Sequence, residues 1–588
     1  MIRKKIYLML WLCSFCLLSQ ATSFTSPNGK LQLFWTADQL VVSYRADAQW
    51  QPLFSMPCAM QGNPTDNGVH QVDYQMITGK RSHCINAYQE VKLLLQDGEK
   101  LLFRLYNDGI AWHGCDGKTV DMTAAKHHWL QRWTEAYEEF FPKDRDTREG
   151  NRWAYPALFE FDKEIFLLLS ESNIDAECAA SCLYSTAQDK VYRIAKEGKG
   201  KQGWQTAFIG RLADIVESTL VTDNSAPCKL ADTSWIEPGV ASWVYWAYNH
   251  GSNDFKIIKR YVDMAVKLKL PYVLIDAEWD EMKDGKTIED AVKYAVDCGV
   301  KPMIWYNSSV GWIHGAPGPK FRLNKPEDCE REFAWCESIG VKGVKIDFFS
   351  GDNNLNIRYM TDLLECAARH HLLVNFHGST IPRGFQRTYP NLISVEAVYG
   401  EEWYNNLPVL TRKAAAHNAT LPFTRNVIGP MDYTPCAFSD SQHPHITSHA
   451  HELALTALYE SGIQHLADRP ESFLAQPQEV QDYLSQLPTA WDETRLLSGY
   501  PGEEVVMARR KGTTWYVAGI NGTDRCRTIE VDWSQLRLKD NHQTIVFEDS
   551  GHPSSPWKIS TDVLLPKGGS TCFNCLPRGG FVAVIHCR

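Results

Sequence analysis

The stretch 341–379, VKGVKIDFFSGDNNLNIRYMTDLLECAARHHLLVNFHGS, contains the repeat that decides the fold. Two apolar runs rich in β-branched residues, 341–349 and 371–379, flank an amphipathic segment at 354–370. Short buried strands that alternate with helical segments are typical of βα units around a parallel sheet. The stretch therefore predicts one strand–helix–strand unit of an α/β domain.

The same alternation continues on both sides of this unit, over residues 234–495. Eight βα units in about 250 residues is the size of a closed (β/α)₈ TIM barrel. A six-unit doubly wound sheet is the alternative, but no glycine-rich phosphate-binding turn follows the first strand, which disfavours it. The eight expected strands lie at 241–248, 271–279, 301–309, 341–349, 371–379, 392–398, 422–429 and 462–468.

The segments that flank the barrel have an all-β pattern. Residues 24–233 and 496–588 contain short runs of alternating apolar and polar residues, separated by turn residues. This alternation predicts an N-terminal β-sandwich, large enough for two extended sheets, and a small C-terminal β-sandwich. A chain of 588 residues is also too long for one hydrophobic core, so several domains are expected.

The first 23 residues have the pattern of a signal peptide. Three basic residues at 3–5 precede an apolar run at 6–18, which is too short to cross a bilayer comfortably, and small residues at 21–23 offer a cleavage site. We expect a mature chain that begins near Phe24 and is secreted or periplasmic; a membrane anchor is the alternative. No other long apolar run follows, so no membrane span is expected.

Composition narrows the classes of function. The net charge of −10 is spread along the chain without a basic block, which argues against nucleic acid as a partner. The 20 Trp, 24 Tyr and 24 Phe suit a cleft in which aromatic rings pack against sugar rings. They suit aromatic-rich sheet cores equally well.

Polar side chains recur at the carboxyl ends of the predicted strands, where a barrel places its active site. Carboxylates that gather at one mouth repel each other, and this cost favours a functional cluster over chance. In chain order the set is Asp276, Glu278, Trp305, Asn307, Lys345, Asp347, Asn375, His377, Glu396, Glu401, Glu402, Arg425, Asp432, His465 and Asp468.

Two of these carboxylates suit glycoside hydrolysis, which requires a carboxyl group on either side of the scissile bond. Lys345 lies on the same strand face as Asp347, and a cation there lowers the pKa of an aspartate and keeps it ionised as a nucleophile. Glu402 lies near Glu396 and Glu401, and neighbouring carboxylates raise a pKa as a general acid requires. The alternatives are a structural ion pair for the first group and a solvated acidic loop for the second.

Three segments resemble glycoside hydrolase family 97: GVKIDFF at 343–349, NFHGSTIPRGFQRTYPNLISVEAVYGEEW at 375–403 and PFTRNVIGPMDYTP at 422–435. HGSTIPRGFQRTYPN and GPMDYTP are the specific motifs. The order of sandwich, barrel and small β-domain also matches, so the resemblance covers nearly the whole mature chain. It implies a hydrolase of oligo- or polysaccharides with a terminal α-linked sugar.

The resemblance also implies a mechanism. The inverting branch of the family uses a glutamate base just after the strand-five histidine, but here Gly378 follows His377. The retaining, α-galactosidase-like branch has its nucleophilic aspartate on strand four, where this chain has Asp347.

The acid/base of the family is the last residue of a Glu-Gly-Val-Arg-Gly-x-Glu segment, which corresponds to Glu402 here. The segment reads EAVYGEE at 396–402, so Ala397 and Tyr399 depart from the family pattern. Tyr399 replaces an arginine, which leaves open how this chain contacts the sugar or the leaving group.

Members of the family also hold calcium close to the acid/base. By resemblance its ligands are Glu396, Glu402 and, from the N-terminal sandwich, Glu171, and carboxylate oxygens are the ligands that calcium prefers. Such an ion explains how several carboxylates coexist in one site. The side chains expected to bind substrate are Lys345, Asp276, Trp305, Asn307 and His377.

Together these features predict a retaining exo-α-glycosidase, with α-galactosidase favoured. An α-glucosidase or a β-L-arabinopyranosidase with the same chemistry is the near alternative. A non-catalytic carbohydrate-binding surface protein is an alternative of another class, and the presence of Asp347, Lys345 and Glu402 argues against it. The sequence does not predict the oligomeric state.

Overall fold

The computed structural model divides the chain into an N-terminal β domain, a central barrel and a C-terminal β domain. The predicted signal peptide, apart from its last residue, lies outside the described residues. The structure describes residues 23–587, except 37, 149, 151, 247–249, 284, 539–541, 553–554 and 567.

The N-terminal domain forms one antiparallel sheet of fifteen strands, with a separate parallel pair, β13 and β16. The bounds are β1 Ser23–Thr25, β2 Leu31–Trp35, β3 Gln39–Ala46, β4 Gln49–Pro57, β5 Thr65–Gln75, β6 His83–Leu94, β7 Lys100–Tyr106, β8 Gly109–His113, β9 Thr119–Asp121, β10 His127–Arg132, β11 Arg152–Glu160, β12 Phe166–Ser172, β13 Cys178–Ala179, β14 Ser181–Ser185, β15 Val191–Lys196, β16 Lys201–Gln202 and β17 Trp204–Gly210.

The strand order explains why the domain is layered although it has one main sheet. The order runs β1-β2-β3-β4-β9-β15-β14-β11-β12-β17-β8-β7-β6-β5, and β10 pairs with β11. Contacts of β2 with β7 and of β1 with β6 show that the sheet folds over so that its two ends face each other. In β7 the side chains of Leu101, Phe103 and Leu105 are fully buried, which is the alternation that an inward sheet face requires.

The barrel contains seven parallel strands in the order β23-β22-β21-β20-β19-β18-β24, which confirms the predicted fold class. Its strands are β18 Gly239–Trp243, β19 Tyr272–Ile275, β20 Lys301–Asn307, β21 Gly343–Asp347, β22 Leu373–Phe376, β23 Leu392–Val395 and β24 Ile463–Leu466. Helices α1 Leu212–Glu217 and α2 Leu220–Asp223 precede it. Its own helices are α3 Phe255–Leu268, α4 Ile288–Asp297, α5 Pro326–Ile339, α6 Asn354–Arg369, α7 Phe385–Thr388, α8 Trp403–Asn406, α9 Ala414–Asn418, α10 His449–Leu458, α11 Pro470–Leu474 and α12 Gln478–Gln486.

The prediction of a seventh strand at 422–429 is wrong. This segment forms two 3₁₀ turns, Leu421–Phe423 and Arg425–Val427. The buried guanidinium of Arg425 donates to the carbonyl oxygens of Val395, Glu396, Ala397, Gly429 and Pro430, so these backbone acceptors are satisfied without strand pairing.

The gap between β23 and β24 is bridged by the residues that follow. The N–H of Asp432 donates to the oxygen of Val395 at 3.0 Å, and the N–H of Met431 donates to the oxygen of Glu460 at 2.9 Å. The barrel is therefore nearly closed, and Asp432 lies at the strand-seven position of its mouth.

Helices α5 and α6 lie side by side on the outside of the barrel. Helix α5 begins with Pro326, whose missing N–H costs nothing in the first turn, and ends at Gly340 with φ 101°. Helix α6 is capped by Asn353, whose side chain accepts from the N–H groups of Leu355 and Asn356.

The C-terminal domain is a small sandwich of a six-stranded sheet, β25-β26-β27-β32-β29-β30, and a pair, β28-β31. Strand β25 begins at Glu493, so the domain boundary predicted at 495/496 falls inside it. Helix α10 packs against β27 and β32 and joins this domain to the barrel. Among the described residues no helix is long and apolar enough to cross a membrane. The strands are β25 Glu493–Tyr500, β26 Glu504–Lys511, β27 Thr514–Asn521, β28 Arg527–Asp532, β29 His542–His552, β30 Ser555–Ser560, β31 Ser570–Cys575 and β32 Gly580–Cys587.

Candidate active site

A cavity of about 700 Å³ opens at the carboxyl ends of the barrel strands. It is polar at its floor and aromatic at its rim, where Trp312 is 52% exposed. Six of the side chains predicted from the sequence line it: Asp276, Glu278, Trp305, Lys345, Asp347 and Glu402.

Asp347 is held rigidly at the end of β21. One carboxylate oxygen, Oδ1, accepts from the backbone N–H of Phe348 at 2.7 Å, and Oδ2 accepts from the indole Nε1 of Trp305 at 3.1 Å. Burial raises the pKa of Asp347 to about 6, although the charges of His377 and Lys345 act in the opposite direction. The prediction from the sequence that Asp347 has a lowered pKa is wrong, because desolvation raises this pKa more than the charges of His377 and Lys345 lower it.

Gly378 packs against this carboxylate. Its φ is +48°, and a Cβ at this position would lie 2.7 Å from Oδ1 of Asp347 and 2.8 Å from the backbone nitrogen of Phe348. A side chain at residue 378 would therefore clash with the Asp347 carboxylate in its observed position. Gly378 therefore provides the space in which Asp347 is held.

Lys345 forms a buried ion pair with Asp276 rather than with Asp347. The Lys345 ammonium donates to Oδ2 of Asp276 at 3.1 Å, and the indole of Trp243 donates to the same oxygen at 2.8 Å. Burial alone would raise the pKa of Asp276, but Lys345 and these hydrogen bonds hold it below its usual value. The pair presents a fixed cation and a fixed acceptor to the cavity.

Glu402, the residue immediately before α8, faces the same cavity. Its side chain is 18% exposed. Burial raises its pKa well above the usual value, and the charges of Glu396 and Asp347 add to this effect. The predicted direction of the shift is confirmed, and it favours the protonated form that a general acid requires.

His377 is buried next to three carboxylates. Its Nε2 lies 2.7 Å from Oδ2 of Asp432, and its Nδ1 lies 3.3 Å from Oε1 of Glu396 and 3.9 Å from Oε2 of Glu402. The other oxygen of Glu396 accepts from the N–H of Gly378 at 2.7 Å. His377 is buried and is not among the side chains that line the cavity, and its contacts are with these carboxylates.

The ligand atoms of His377, Glu396 and Glu402 all lie within 4.8 Å of one another. In this group Oε1 of Glu396 and Nδ1 of His377 are buried and lie 3.3 Å apart, but neither makes a hydrogen bond of good geometry to any described residue. Buried polar atoms without partners mark a place where an ion or water fits. Carboxylate oxygens form most of this donor set, which suits a hard divalent cation.

A further carboxylate, Glu138, reaches the cavity from the N-terminal domain. Burial raises its pKa well above the usual value, and the charges of Glu396, Glu402 and Asp347 raise it further. Sequence reasoning missed Glu138 because it lies between strands β10 and β11, outside any periodic pattern. The acidic and aromatic run WTEAYEEFF at 133–141 was the available signal.

Two predicted site residues lie elsewhere. Glu171 is fully buried and pairs with Arg383 of the barrel, Oε2 to Nε at 2.7 Å; its other contacts are with Ser181 and Gln205. It joins the domains but does not belong to the group around Glu396. Asn307 donates through its side chain to backbone oxygens of the 312–317 loop and so supports the rim of the cavity.

Comparison with known proteins places this site in a family. Residues 235–398 match the family described as Glycoside hydrolase 97, residues 24–227 match its N-terminal domain, and residues 490–586 match its C-terminal domain, described as "oligomerisation". A barrel whose mouth gathers carboxyl groups around one cavity is the arrangement of a glycoside hydrolase. The chain belongs to glycoside hydrolase family 97 and is a glycosidase.

The similar proteins include two curated relatives. A protein of Streptomyces bingchenggensis named "Probable retaining alpha-galactosidase" is 37% identical over 449 residues, which cover 71% of this chain and 67% of that protein. A "Retaining alpha-galactosidase" of Bacteroides thetaiotaomicron is 30% identical over an alignment of 681 positions, which covers 99% of this chain and 100% of that protein.

Solved structures share the whole architecture. The crystal structure of a beta-arabinopyranosidase is 26% identical, with a TM-score of 0.86 over 96% of this chain and 100% of that chain. A family 97 enzyme of Pseudoalteromonas sp. strain K8 in complex with acarbose is 19% identical, with a TM-score of 0.80 over the same shares of the two chains, and shows the common fold.

Proposed function

We propose that the chain is a retaining exo-α-glycosidase, an α-galactosidase, with Asp347 as nucleophile and Glu402 as general acid/base. The observation that carries this proposal is the close packing of Gly378 against Asp347, since the position of the inverting base is empty of any side chain and Asp347 occupies the space beside it. Proton NMR of an aryl α-galactoside digest tests it. The α-anomer of galactose should form first, whereas initial β-anomer would contradict the proposal.

In the first step, an oxygen of Asp347 attacks the anomeric carbon while Glu402 gives its proton to the departing glycosidic oxygen. The C–O bond to the leaving group breaks and a glycosyl ester forms. In the second step Glu402, now a carboxylate, takes a proton from water, whose oxygen displaces the ester. The hydrogen bonds from Phe348 and Trp305 orient the Asp347 carboxylate for both displacements.

The ion pair of Lys345 and Asp276 is suited to hold the terminal sugar. The Lys345 ammonium has hydrogens beyond the one given to Asp276, and these can donate to sugar hydroxyls in the cavity. The exposed ring of Trp312 at the rim offers an apolar face to the part of the substrate that leaves. Charge-assisted hydrogen bonds inside the cavity and one aromatic ring at its rim favour a substrate from which the terminal sugar is cleaved.

The names of the two curated relatives support galactose as the sugar. The beta-arabinopyranosidase supports β-L-arabinopyranose as the second candidate. α-D-Galactopyranosides and β-L-arabinopyranosides share ring configuration and differ in the exocyclic hydroxymethyl group. Comparing kcat/KM for the two nitrophenyl glycosides and for the α-glucoside separates these candidates. A preference for the α-glucoside would refute galactosidase specificity.

We also propose that Glu396, Glu402 and Glu138 hold a calcium ion near the acid/base. The oxygen of Glu396 that lacks a well-aligned hydrogen bond and the raised pKa values of Glu138 and Glu402, to which the charge of Glu396 contributes, support this, because a bound cation relieves the repulsion among these groups. When bound, the ion would relieve the repulsion among these glutamates and attach the N-terminal domain to the barrel. Isothermal titration with calcium tests the site directly, and Glu138→Gln should weaken binding; unchanged affinity would remove Glu138 from the ligand set.

Export is part of the same proposal. The basic residues at 3–5 and the apolar run at 6–18 support cleavage before Phe24. Intact-mass analysis of the protein from the culture medium or periplasm should give the chain that starts near Phe24. A cytoplasmic protein of full length would contradict this.

A further inference from the structure

A second group of metal-ligand side chains lies on the outside of the barrel, between α5 and α6. Glu330 is in the second turn of α5. Cys366 lies in the last turn of α6 and His370, four residues further, caps this helix, so the two share a face. The Cys366 thiol lies 3.4 Å from Oε2 of Glu330, and Nε2 of His370 lies 2.9 Å from Oε1 of Glu330. The three ligand atoms lie within 4.8 Å of one another.

A fourth candidate ligand, Cys329, comes from the residue before Glu330. Its thiol interacts electrostatically with the Cys366 thiol, and both side chains are nearly fully buried. The two thiols are not joined, and no disulfide forms among the described cysteines. One thiol, an imidazole and a carboxylate therefore converge from two helices on one point, and the Cys329 thiol lies beside this group.

The surroundings of His370 favour a ligand role. Its Nδ1 lies 3.2 Å from Oε2 of Glu337, and the other oxygen of Glu337 lies 3.0 Å from Nδ1 of His371. In this structure Nε2 donates to Glu330, and when an ion replaces that proton, Glu337 can keep the other proton on Nδ1 so that the Nε2 lone pair binds the ion. Histidines that bind metals have this arrangement.

We propose that Glu330, Cys366 and His370, with the neighbouring Cys329 thiolate turning in as the fourth ligand, form a binding site for a tetrahedral divalent transition-metal ion, for which Zn²⁺ is the best match. Two thiolates, an imidazole and one carboxylate are zinc ligands, and the soft sulfur donors exclude calcium or magnesium as the natural occupant.

Access to the site is open on the side of Glu330, whose side chain is 47% exposed. Arg369 pairs with Glu330 at 2.8 Å, and an ion pair this exposed contributes little, so a metal ion can displace it. The bound ion would connect α5 to α6 through four ligands and stabilise this side of the barrel. The site is separate from the carboxylate group in the cavity and independent of the proposed glycosidase activity.

The test uses the purified mature enzyme, reduced and freed of metal, with Co²⁺ as a spectroscopic probe and Zn²⁺ as competitor. One equivalent of Co²⁺ should give the intense visible bands of a tetrahedral ion together with a thiolate charge-transfer band, and one equivalent of Zn²⁺ should abolish them. Cobalt bound by the carboxylates of the active-site cavity would lack the thiolate charge-transfer band, because that group contains no cysteine. The band therefore distinguishes the proposed site from the cavity.

Variants locate the site. Cys366→Ser should remove the charge-transfer band or shift it strongly, and His370→Gln should weaken Zn²⁺ affinity while it leaves both buried thiols in place. Glu337→Gln should weaken it about 10–100-fold, as loss of a carboxylate behind a ligating histidine does. Cys228→Ser, which changes an exposed thiol outside the group, is the matched control and should bind as the wild type does.

Three results would overturn the proposal. One is the absence of a stoichiometric tetrahedral cobalt spectrum in the wild type. Another is equal Zn²⁺ affinity in the wild type, Cys366→Ser and His370→Gln, with folding checked by circular dichroism. The third is a Cys329–Cys366 disulfide in the enzyme as purified without reductant, found by peptide mass, because it would consume both sulfur ligands.

Discussion

The substitution Gly378→Ala tests whether close packing sets the position of the catalytic aspartate. The new Cβ would lie 2.7 Å from Oδ1 of Asp347 and 2.8 Å from the nitrogen of Phe348, whereas ordinary contacts begin at 3.4 Å. Relief of the first contact requires a shift of about 0.7 Å, and it weakens the hydrogen bond that orients Oδ1. A misplacement of about 1 Å costs roughly 10²-fold in rate. We expect kcat/KM for an aryl α-galactoside to fall by about that factor, or ~2.7 kcal/mol.

Backbone strain is separated from the clash by a matched control. Gly299 has a φ of +75° and no atom within 4 Å of the position that a Cβ would take, so Gly299→Ala introduces left-handed strain without a contact. Both variants should lose ~1–2 kcal/mol of unfolding free energy in urea titrations. Only Gly378→Ala should lose activity. If its kcat/KM stays within about twofold of the wild type while the fold is intact, the packing argument is refuted.

The remaining predictions concern pH, metal and the domain contact. Because Asp347 must be ionised to attack and burial raises its pKa to about 6, kcat/KM should fall as pH drops through about 6 and should be retained above it. Removal of calcium with a chelator should lower the melting temperature of the wild type, and Glu138→Gln should show a smaller drop. Arg383→Met leaves Glu171 as a buried, uncompensated charge, so unfolding free energy should decrease by ~3–5 kcal/mol.

Each of these three predictions has a result that would contradict it. A pH profile whose acid limb lies at the usual aspartate range, near ~4, would show that burial does not control the nucleophile. Equal chelator effects in the wild type and Glu138→Gln would place the ion elsewhere. Arg383→Met with wild-type stability would mean that Glu171 finds another partner or takes up a proton.

The sequence predicts best which side chains gather at the carboxyl ends of the barrel strands. Carboxylates spaced two apart on β-branched runs predicted the barrel mouth, and Asp276, Lys345, Asp347 and Glu402 do line one cavity. The choice of partners was beyond the sequence, since Lys345 can reach either aspartate and the structure pairs it with Asp276. Pairing depends on side-chain geometry across strands, which spacing along one strand does not determine.

Two other differences have similar causes. The run 422–429 is as apolar as a buried strand, but the five carbonyl acceptors around Arg425 stabilise an irregular segment that no periodicity indicates. Glu138 and Glu171 both come from the N-terminal domain, and which of them faces the cavity depends on how that domain packs on the barrel. The pKa of Asp347 depends on burial, which strand position alone does not measure.

The central claim is that Asp347 is the nucleophile, and chemical rescue of Asp347→Ala by azide tests it most directly. The variant should be inactive on an aryl α-galactoside, and azide should restore turnover by entering the space of the missing carboxylate. The product should be the β-configured galactosyl azide, identified by proton NMR. Absence of rescue in a folded variant, or an azide product of α configuration, would contradict the account.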